Sequence, residues 1–325
     1  MSTINWGIIG CGDVTEKKSG PAFNKLADSH LVAVMRRNAD KAADYAQRHG
    51  VSKWYDDAEA LMNDPGINAI YIATPPSSHL DYAKRALDKG FNVYVEKPVT
   101  RNAAEAQQMA DAVAKSNNKL VVAHYRRAQP MFLYIKDLID RKVIGDIQTI
   151  NITLWQSAKP ALVANSAENW RVQPEISGGG YFHDLAPHQL DLMLYYFGMP
   201  QRYAGYSLNN SNLYPADDTV TGEVLFANNI HLVGWWSFEK REGEEFDECE
   251  ITGTKGSITF PFFGQKIVLK TENKTETIRF DPLDHVQQPM IEQVVKYFNG
   301  ERDNPNPIEE AVEVMRIIDA FSKRC

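Results

Sequence analysis

The sequence predicts two domains: a doubly wound parallel α/β domain over residues 1–124 and an α+β domain with a mostly antiparallel sheet over residues 125–325. Three observations carry this prediction. A length of 325 residues suits two domains of ordinary size. The first part alternates nearly continuous apolar runs with helical patterns, and the part after residue 146 alternates apolar and polar residues one by one.

Five short runs rich in Val, Ile and Tyr have the texture of strands buried on both faces. They cover residues 4–9, 31–35, 69–73, 91–95 and 120–123. Helical patterns at 40–49 and 80–89 end at Gly50 and Gly90, where left-handed caps belong. A third pattern at 102–116 opens with Asn102 as N-cap and Glu105 three residues later. Strand and helix in this order predict right-handed crossovers and a parallel sheet.

Period-two patterning in the second part predicts an antiparallel sheet with one covered face. Strands are expected around 150–154 and 220–226, and Asn228-Asn229 predicts a hairpin turn into 231–238. Further strands are expected at 257–261, 266–270 and 275–280, and helices at 187–197, 289–298 and 308–323, the last a candidate to pack back on the first domain. The acidic segment 239–250 favours a solvated strand edge or hairpin over a cation site.

Charge and cysteine usage exclude several classes of function. Lys and Arg total 35 against 42 Asp and Glu, a net charge of −7, which disfavours nucleic acid and anionic membranes as partners. No secretory pattern opens the chain, and no apolar run approaches the roughly 18 residues of a membrane span. Cys11, Cys249 and Cys325 lie far apart, which argues against a disulfide framework or a metal site. We expect a cytoplasmic protein without a bound metal.

A glycine loop follows the first strand. Gly10 permits a tight turn and Gly12 a close backbone approach to a pyrophosphate, with Asp13 and Val14 opening the next helix. Thr15 replaces the third glycine of the usual pattern. Because the loop lies at the first strand–helix junction of the chain, it predicts dinucleotide binding.

The end of the second strand bears on which dinucleotide is bound. An acidic residue there would accept the ribose 2′-hydroxyl of NAD. This chain has Arg36 and Arg37 instead, which suit the 2′-phosphate of NADP. We therefore favour NADP over NAD, and two ordinary surface arginines remain the alternative.

Two further clusters predict acid–base chemistry. Lys97 follows the fifth strand within Glu96-Lys97-Pro98, and ligands of such sheets bind beyond the carboxyl ends of strands. Its ammonium can polarise a hydroxyl or carbonyl, although a surface lysine is the common alternative. Asp184 and His188, four residues apart, can pair as a carboxylate and an imidazole that takes a hydroxyl proton. The alternative for His188 is a packed core histidine, which is also what we expect of His183.

These motifs together resemble the glucose–fructose oxidoreductase / inositol dehydrogenase / MocA family from residue 4 to about 322. The motifs are Gly10-Cys11-Gly12, Thr74-Pro75 with His79, Glu96-Lys97-Pro98, and Gly178-Gly179-Gly180 with Asp184 and His188. Residues 170–175 look like the 1,5-anhydrofructose reductase and dihydrodiol dehydrogenase branch. Thr15 departs from the family pattern, and so does Pro76, where many relatives have Asn.

The resemblance implies an N-terminal Rossmann domain and a C-terminal domain whose open sheet is buried in homodimers or homotetramers. It implies a Lys97–Pro98 peptide that is often cis, and Lys97 and His188 near the nicotinamide with Asp184 supporting the histidine. Implied cofactor contacts are Gly10, Gly12, Asp13, Val14, Arg36, Arg37, Thr74, Pro75, His79, Glu96 and Lys97. Implied substrate contacts are Lys97, Tyr125, Arg126, Trp170, Arg171, Asp184 and His188, and Trp155 is a further candidate for a loop residue that shapes the pocket.

We therefore expect an NAD(P)-dependent oxidoreductase that transfers hydride to or from a sugar, polyol or sugar-derived carbonyl. A redox-neutral glycoside hydrolase that retains NAD is one alternative. A non-catalytic dinucleotide-binding regulator is another, and Lys97, Asp184 and His188 argue against it because a regulator has no need of them.

Overall fold

The computed structural model describes residues 3–163 and 169–323, so Cys325 lies outside the described residues. Contacts divide the chain into two units. The first comprises Met1–Ala128 with Leu283–Val312, and the second Gln129–Pro282 with Glu313–Cys325.

The first unit contains a parallel sheet in the order β3-β2-β1-β4-β5-β6, which confirms the doubly wound prediction. Its strands are β1 (Ile4–Ile9), β2 (Ser29–Met35), β3 (Lys53–Tyr55), β4 (Ala69–Ile72), β5 (Asn92–Val95) and β6 (Leu120–Val122). The helices between them are α1 (Asp13–Lys17), α2 (Ala39–His49), α3 (Ala58–Met62), α4 (His79–Asp88) and α5 (Ala103–Lys115). The short edge strand β3 was not predicted, because Lys53 and Trp54 are exposed and carry no buried-strand texture.

Local signals at the helix ends behave as predicted. Gly50 and Gly90 have φ angles of 64° and 91°, the left-handed region that ends α2 and α4. Asn102 caps α5 by accepting the backbone N–H of Glu105 at 2.9 Å. The Glu105 carboxylate in turn accepts the backbone N–H of Arg101 at 3.2 Å.

Strand order brings the expected cofactor residues to one edge of this sheet. The order changes direction between β1 and β4, and ligands of such sheets bind beyond the carboxyl ends of the strands at that point. The glycine loop follows β1, Arg36 follows β2, Thr74 follows β4 and Lys97 follows β5.

The second unit contains a sheet in the order β14-β13-β12-β11-β7-β10-β9-β8. Every neighbouring pair is antiparallel except β7 with β10, which confirms a mostly antiparallel sheet. Its strands are β7 (Ile147–Ser157), β8 (Arg202–Leu208), β9 (Thr219–Leu225), β10 (His231–Lys240), β11 (Phe246–Gly253), β12 (Gly256–Phe260), β13 (Lys266–Thr271) and β14 (Thr275–Arg279). Its helices include α6 (Pro130–Asp140), α7 (Pro174–Ser177) and α8 (Tyr181–Phe197).

Alternation along these strands separates a covered from an open face. Ile150, Ile152 and Leu154 of β7 are buried, and Trp236 of β10 packs edge-on against Phe182 of α8 at 5.1 Å. The neighbouring Trp235 points to the opposite face and is exposed. The predicted turn is confirmed, since Asn228 and Asn229 both have φ of 59° between the antiparallel strands β9 and β10.

Two predictions for this unit were wrong. The helix expected from residue 187 begins at Tyr181, and Pro187 lies inside it rather than at its first turn. The acidic segment is neither a hairpin nor a sheet edge, because β10 and β11 lie on either side of β7. Glu248 and Glu250 on β11 alternate with buried Cys249 and Ile251, so an interior strand carries acidic residues on its open face.

The last part of the chain contributes to both units. Helix α9 (Gln288–Phe298) belongs to the first, where Phe298 packs on the buried ring of Trp6 at 5.6 Å. Helix α10 (Ile308–Phe321) is divided between the units. Its residues up to Val312 belong to the first unit, and those from Glu313 onward belong to the second, where Phe321 packs on Trp236 at 6.0 Å. Within residues 3–163 and 169–323, no helix is long and apolar enough to cross a membrane.

Candidate active site

The glycine loop in the first unit is fixed on one side and open on the other. The backbone N–H groups of Gly10 and Cys11 donate to the Met35 carbonyl at 2.9 and 3.1 Å. Gly10 has φ of 96°, and a Cβ there would lie 2.7 Å from Thr74 Cγ2, so no side chain fits. At Gly12 the nearest atom to such a Cβ is the Gly10 carbonyl oxygen at 4.0 Å. The space above Gly12 therefore suits the close approach of a pyrophosphate.

Thr15 occupies the third-glycine position without blocking the loop. Its side chain is fully buried, and its hydroxyl donates to the Gly12 carbonyl at 2.8 Å. Its own carbonyl accepts the Tyr45 hydroxyl of α2 at 2.8 Å. The residue thus points into the protein, while Asp13 beside the loop is exposed.

The two arginines after β2 differ in their surroundings. Arg36 donates from Nη1 to the Cys11 carbonyl at 3.3 Å, which holds its guanidinium at the glycine loop. Arg37 is exposed, and none of the ion pairs between described residues involves it. Asn38 caps α2 through its side chain. The structure therefore brings Arg36 to the loop and leaves Arg37 open to solvent.

His79 connects the loop after β4 with the loop after β5. It is fully buried, with Nε2 2.7 Å from the Thr74 carbonyl oxygen and Nδ1 3.1 and 3.2 Å from those of Pro98 and Val99. Burial lowers the pKa of His79, and the backbone carbonyls and the charge of Glu96 oppose this shift. Its ring nitrogens thus face backbone oxygens of both loops.

Glu96 is almost completely buried behind Lys97. Its carboxylate accepts the Tyr71 hydroxyl at 2.5 Å, the Gln287 side-chain amide at 2.6 Å and the backbone N–H of Lys97 at 3.2 Å. The Lys97–Pro98 peptide is cis, as the resemblance implied. The carboxylate is therefore held within the protein, with one oxygen directed at the Lys97 backbone.

In the second unit, α8 places Asp184 and His188 one turn apart. The His188 ring is buried and meets the ring of Phe263 edge-on at 6.3 Å. Asp184 accepts from Arg171 Nε at 3.1 Å, with side-chain exposures of 13% and 8%. The Arg171 guanidinium also lies over the Trp170 ring at 4.4 Å. Four predicted site residues thus come from two elements of the second unit: Trp170 and Arg171 from a short turn, and Asp184 and His188 from α8.

Two of the three glycines before α8 have a packing role. A Cβ on Gly179 would lie 2.2 Å from Cε1 of His183. Gly180 has φ of 86°, and its Cβ would lie 2.6 Å from that of Ala216. His183 is packed as predicted, and burial lowers the pKa of its imidazole to about 4. Close packing against His183 and Ala216 therefore accounts for two of these glycines without a ligand.

The remaining pocket candidates belong to different units: Tyr125 and Arg126 to the first, and Trp155 to the second. Tyr125 is buried in a short helical turn of the first unit, with the Arg126 guanidinium 5.7 Å from its ring centre. The expectation that Trp155 lies in a loop was wrong, because it is a residue of β7. Its ring packs against exposed Trp235 at 5.0 Å and Phe246 at 5.7 Å, on the open face of the sheet.

Sequence reasoning missed Phe263, which contacts His188, and Asp247, which holds the turn that carries it. Asp247 accepts the backbone N–H groups of Phe262 and Phe263 at 3.0 and 2.7 Å. The only signal for this contact in the sequence is the aromatic pair Phe262-Phe263, which directly follows the strand predicted at 257–261. Among the described residues, no group of three His, Cys, Asp or Glu side chains could hold a metal ion.

Comparisons with known proteins identify the family of the chain. A model of an oxidoreductase family with an NAD-binding Rossmann fold matches residues 4–124, and one of the GFO/IDH/MocA C-terminal domain matches residues 132–259. Oxidoreductase P35 of Formosa agariphila is 50% identical over 98% of this chain and 98% of its own. Trans-1,2-dihydrobenzene-1,2-diol dehydrogenase of Xenopus laevis is 33% identical over 88% of this chain and 83% of its own.

A solved structure of levoglucosan dehydrogenase in complex with NADH and levoglucosan has the same fold. The TM-score is 0.86 at 23% identity, and the match covers 98% of this chain and 96% of that one.

Proposed function

Because the chain belongs to the glucose–fructose oxidoreductase / inositol dehydrogenase / MocA family, and is therefore a dehydrogenase or reductase, we propose that it interconverts a hydroxyl and a carbonyl group of a sugar, polyol or sugar-derived substrate with NADP(H). One observation carries the proposal: a buried imidazole, His188, lies one helical turn from a carboxylate, Asp184, which an arginine holds in place. Relatives named diol dehydrogenase and levoglucosan dehydrogenase support this substrate class.

His188 is the proposed acid–base group. In the oxidative direction it takes the proton of the substrate hydroxyl, and in the reductive direction it returns a proton to the new alkoxide. Asp184 favours the imidazolium that forms, through its negative charge. The bound nicotinamide supplies the hydride chemistry.

Lys97 is the proposed group at the reacting oxygen. Its ammonium donates a hydrogen bond to that oxygen and stabilises the negative charge that develops there. Lys97 is a residue of the first unit and His188 of the second. Tyr125, Arg126, Trp170 and Arg171 are the proposed further contacts to substrate.

The first unit would hold the cofactor. The pyrophosphate would be bound by Gly10 and Gly12 together with the start of α1. The nicotinamide would be bound by Thr74, Pro75 and the loop that contains Lys97. Arg36 and Arg37 support NADP over NAD, because no carboxylate stands at the end of β2 to accept a ribose 2′-hydroxyl.

We also propose a homodimer or homotetramer assembled through the open sheet face. Four large side chains on or beside it are 41–47% exposed: Tyr206, Val233, Trp235 and Phe246. Apolar patches of this kind mark interaction surfaces. The two described cysteines, Cys11 and Cys249, are buried free thiols, which fits a reducing cytoplasmic compartment.

The test is a panel of sugars, polyols and their carbonyl derivatives assayed with NAD, NADP and their reduced forms. We expect NADPH formation or consumption with at least one member. Release of free sugar from glycosides without net cofactor turnover would instead establish the hydrolase. Cofactor binding with neither activity, across the whole panel, would contradict the proposal and favour a regulator.

A further inference from the structure

Gln287 is a buried residue that none of the sequence motifs includes. It directly precedes α9, in the segment that returns to the first unit, and lies outside both family-matched ranges, 4–124 and 132–259. The residue is completely buried, and its backbone N–H donates to the Lys18 carbonyl at 3.1 Å, just after α1.

The side-chain amide of Gln287 offers a hydrogen-bond donor to Glu96 and an acceptor to Tyr94. Its Nε2 donates to Glu96 Oε1 at 2.6 Å, and its Oε1 accepts the Tyr94 hydroxyl at 3.1 Å. Burial raises the pKa of Tyr94, so this phenol stays protonated and acts as the donor. A carboxylate at position 287 would place two hydrogen-bond acceptors, its own oxygen and that of Glu96, against each other. An apolar side chain there would remove the hydrogen-bond partner that Glu96 and the Tyr94 hydroxyl now share.

The bonds to Glu96 divide its carboxylate into two ends. Oε1 receives both the Gln287 amide and the Tyr71 hydroxyl, whose pKa burial also raises, and Ser19 Oγ lies 3.1 Å from the same hydroxyl. Oε2 receives the backbone N–H of Lys97 at 3.2 Å. Fixing Oε1 therefore fixes the rotation of the carboxylate, and so the direction from which Oε2 meets the Lys97 peptide.

We propose that Gln287 is a positioning residue for Lys97. It holds the Glu96 carboxylate in the rotation that orients the Lys97 backbone, and so places the ammonium for the reacting oxygen. This inference rests on the proposed function, in which Lys97 contacts that oxygen. Misplacement of a reacting group by about 1 Å can cost on the order of 10²-fold in rate.

The first test compares Gln287→Met with Ser29→Ala. Ser29 is buried in the same unit and accepts a hydrogen bond from Trp6 Nε1 at 3.0 Å, away from Lys97, so its variant controls for a lost buried hydrogen bond. Two readouts are taken: steady-state kinetics, and hydrogen–deuterium exchange at the Lys97 amide by mass spectrometry. We expect Gln287→Met to lower kcat by about 10- to 100-fold, with KM and the Kd for NADPH little changed. We expect the Lys97 amide to exchange faster in this variant and not in Ser29→Ala.

The second test exchanges the two partners. Gln287→Glu places two carboxylates together and should lower kcat at least as much as Gln287→Met. In the double variant Glu96→Gln/Gln287→Glu the amide and the carboxylate change places, so a donor again faces an acceptor. We expect the double variant to recover much of the lost kcat and the slow exchange at Lys97, which a general loss of stability would not.

The inference would be overturned if Gln287→Met had the same kcat as the wild type and the same rate of hydrogen–deuterium exchange at the Lys97 amide. Equal losses in Ser29→Ala would also overturn it, as would a double variant no better than Gln287→Glu. If the wild-type protein turns over no member of the substrate panel, the proposed function fails, and exchange at Lys97 still decides whether Gln287 positions it.

Discussion

Arg171 donates from Nε to Oδ2 of Asp184 across 3.1 Å, and both side chains are largely removed from solvent. Removing one partner of a buried ion pair leaves the other charge buried without compensation, at a cost of about 3–5 kcal/mol. The pair therefore holds the helix that carries His188 in place, and it also fixes the position of the Asp184 carboxylate on that helix.

Arg171→Ala should accordingly lower both stability and turnover, since it removes the cation that pairs with the buried Asp184 carboxylate. Stability is measured by denaturant unfolding and turnover by cofactor absorbance. The double variant Arg171→Ala/Asp184→Asn removes both charges and should regain stability while staying inactive. If the single and double variants unfold alike, the pair does not constrain the helix.

Lys97→Met and His188→Asn should each lower kcat by about 10²- to 10⁴-fold, the range of general acid–base and hydrogen-bond contributions. Binding of NADPH, followed by fluorescence titration, should change little because neither residue is proposed to bind the phosphates. His30→Asn, at an exposed position of β2, serves as the matched control and should keep wild-type turnover. Near-normal kcat in both site variants would exclude these residues as the acid–base set.

Arg37→Ala should raise KM for NADP at least tenfold with little change for NAD, because an exposed guanidinium is lost where a 2′-phosphate would lie. Stability should not change, since the described ion pairs do not involve Arg37. Lys84→Ala, an exposed cation on α4, is the control. An equal effect on both cofactors would remove the argument for NADP.

Glu16 should make the first unit sensitive to acid. Hydrogen bonds from the Arg48 guanidinium, and then from His49, lower the pKa of the Glu16 carboxyl to about 2 from an ordinary value of 4.5. A depressed folded-state pKa contributes stability that is complete above about pH 4.5 and is lost as pH falls toward 2. Unfolding free energies of wild type and Glu16→Gln should therefore differ at pH 6 and converge as pH falls through that window. A constant difference would mean that the carboxylate charge is not the cause.

Trp235→Glu should dissociate the assembly, because it places a charge at the centre of the open sheet face. Light scattering after size exclusion gives the mass of each species. Leu133→Glu, an equally exposed apolar residue on α6 away from the sheet, should leave the mass unchanged. A monomeric wild type would contradict the proposed oligomer.

Much of the first unit could be predicted because its signals are local. The run 4–9 coincides with β1, Gly50 and Gly90 mark the ends of α2 and α4, and Asn102 caps α5. Helix α8 was misplaced because Pro187 is a common first-turn residue, and here the interior of the helix accommodates it. Strand β11 was missed because charge suggested an edge, whereas an open sheet face also exposes alternate residues of an interior strand.

The amino-acid sequence by itself determined the alternation of buried strands and helices in the first unit, the glycine loop at Gly12, the Lys97 loop after β5, and the spacing of Asp184 and His188. Each of these features depends on residues that are a few positions apart in the chain, where the local backbone conformation fixes their relative positions. Only the tertiary structure decided that Arg171 is a partner of Asp184, that Phe263 faces His188, and that Gln287 bonds to Glu96 across 191 residues of chain. Such pairings come from the packing of buried side chains, where each polar group must find a partner wherever the folded chain supplies one.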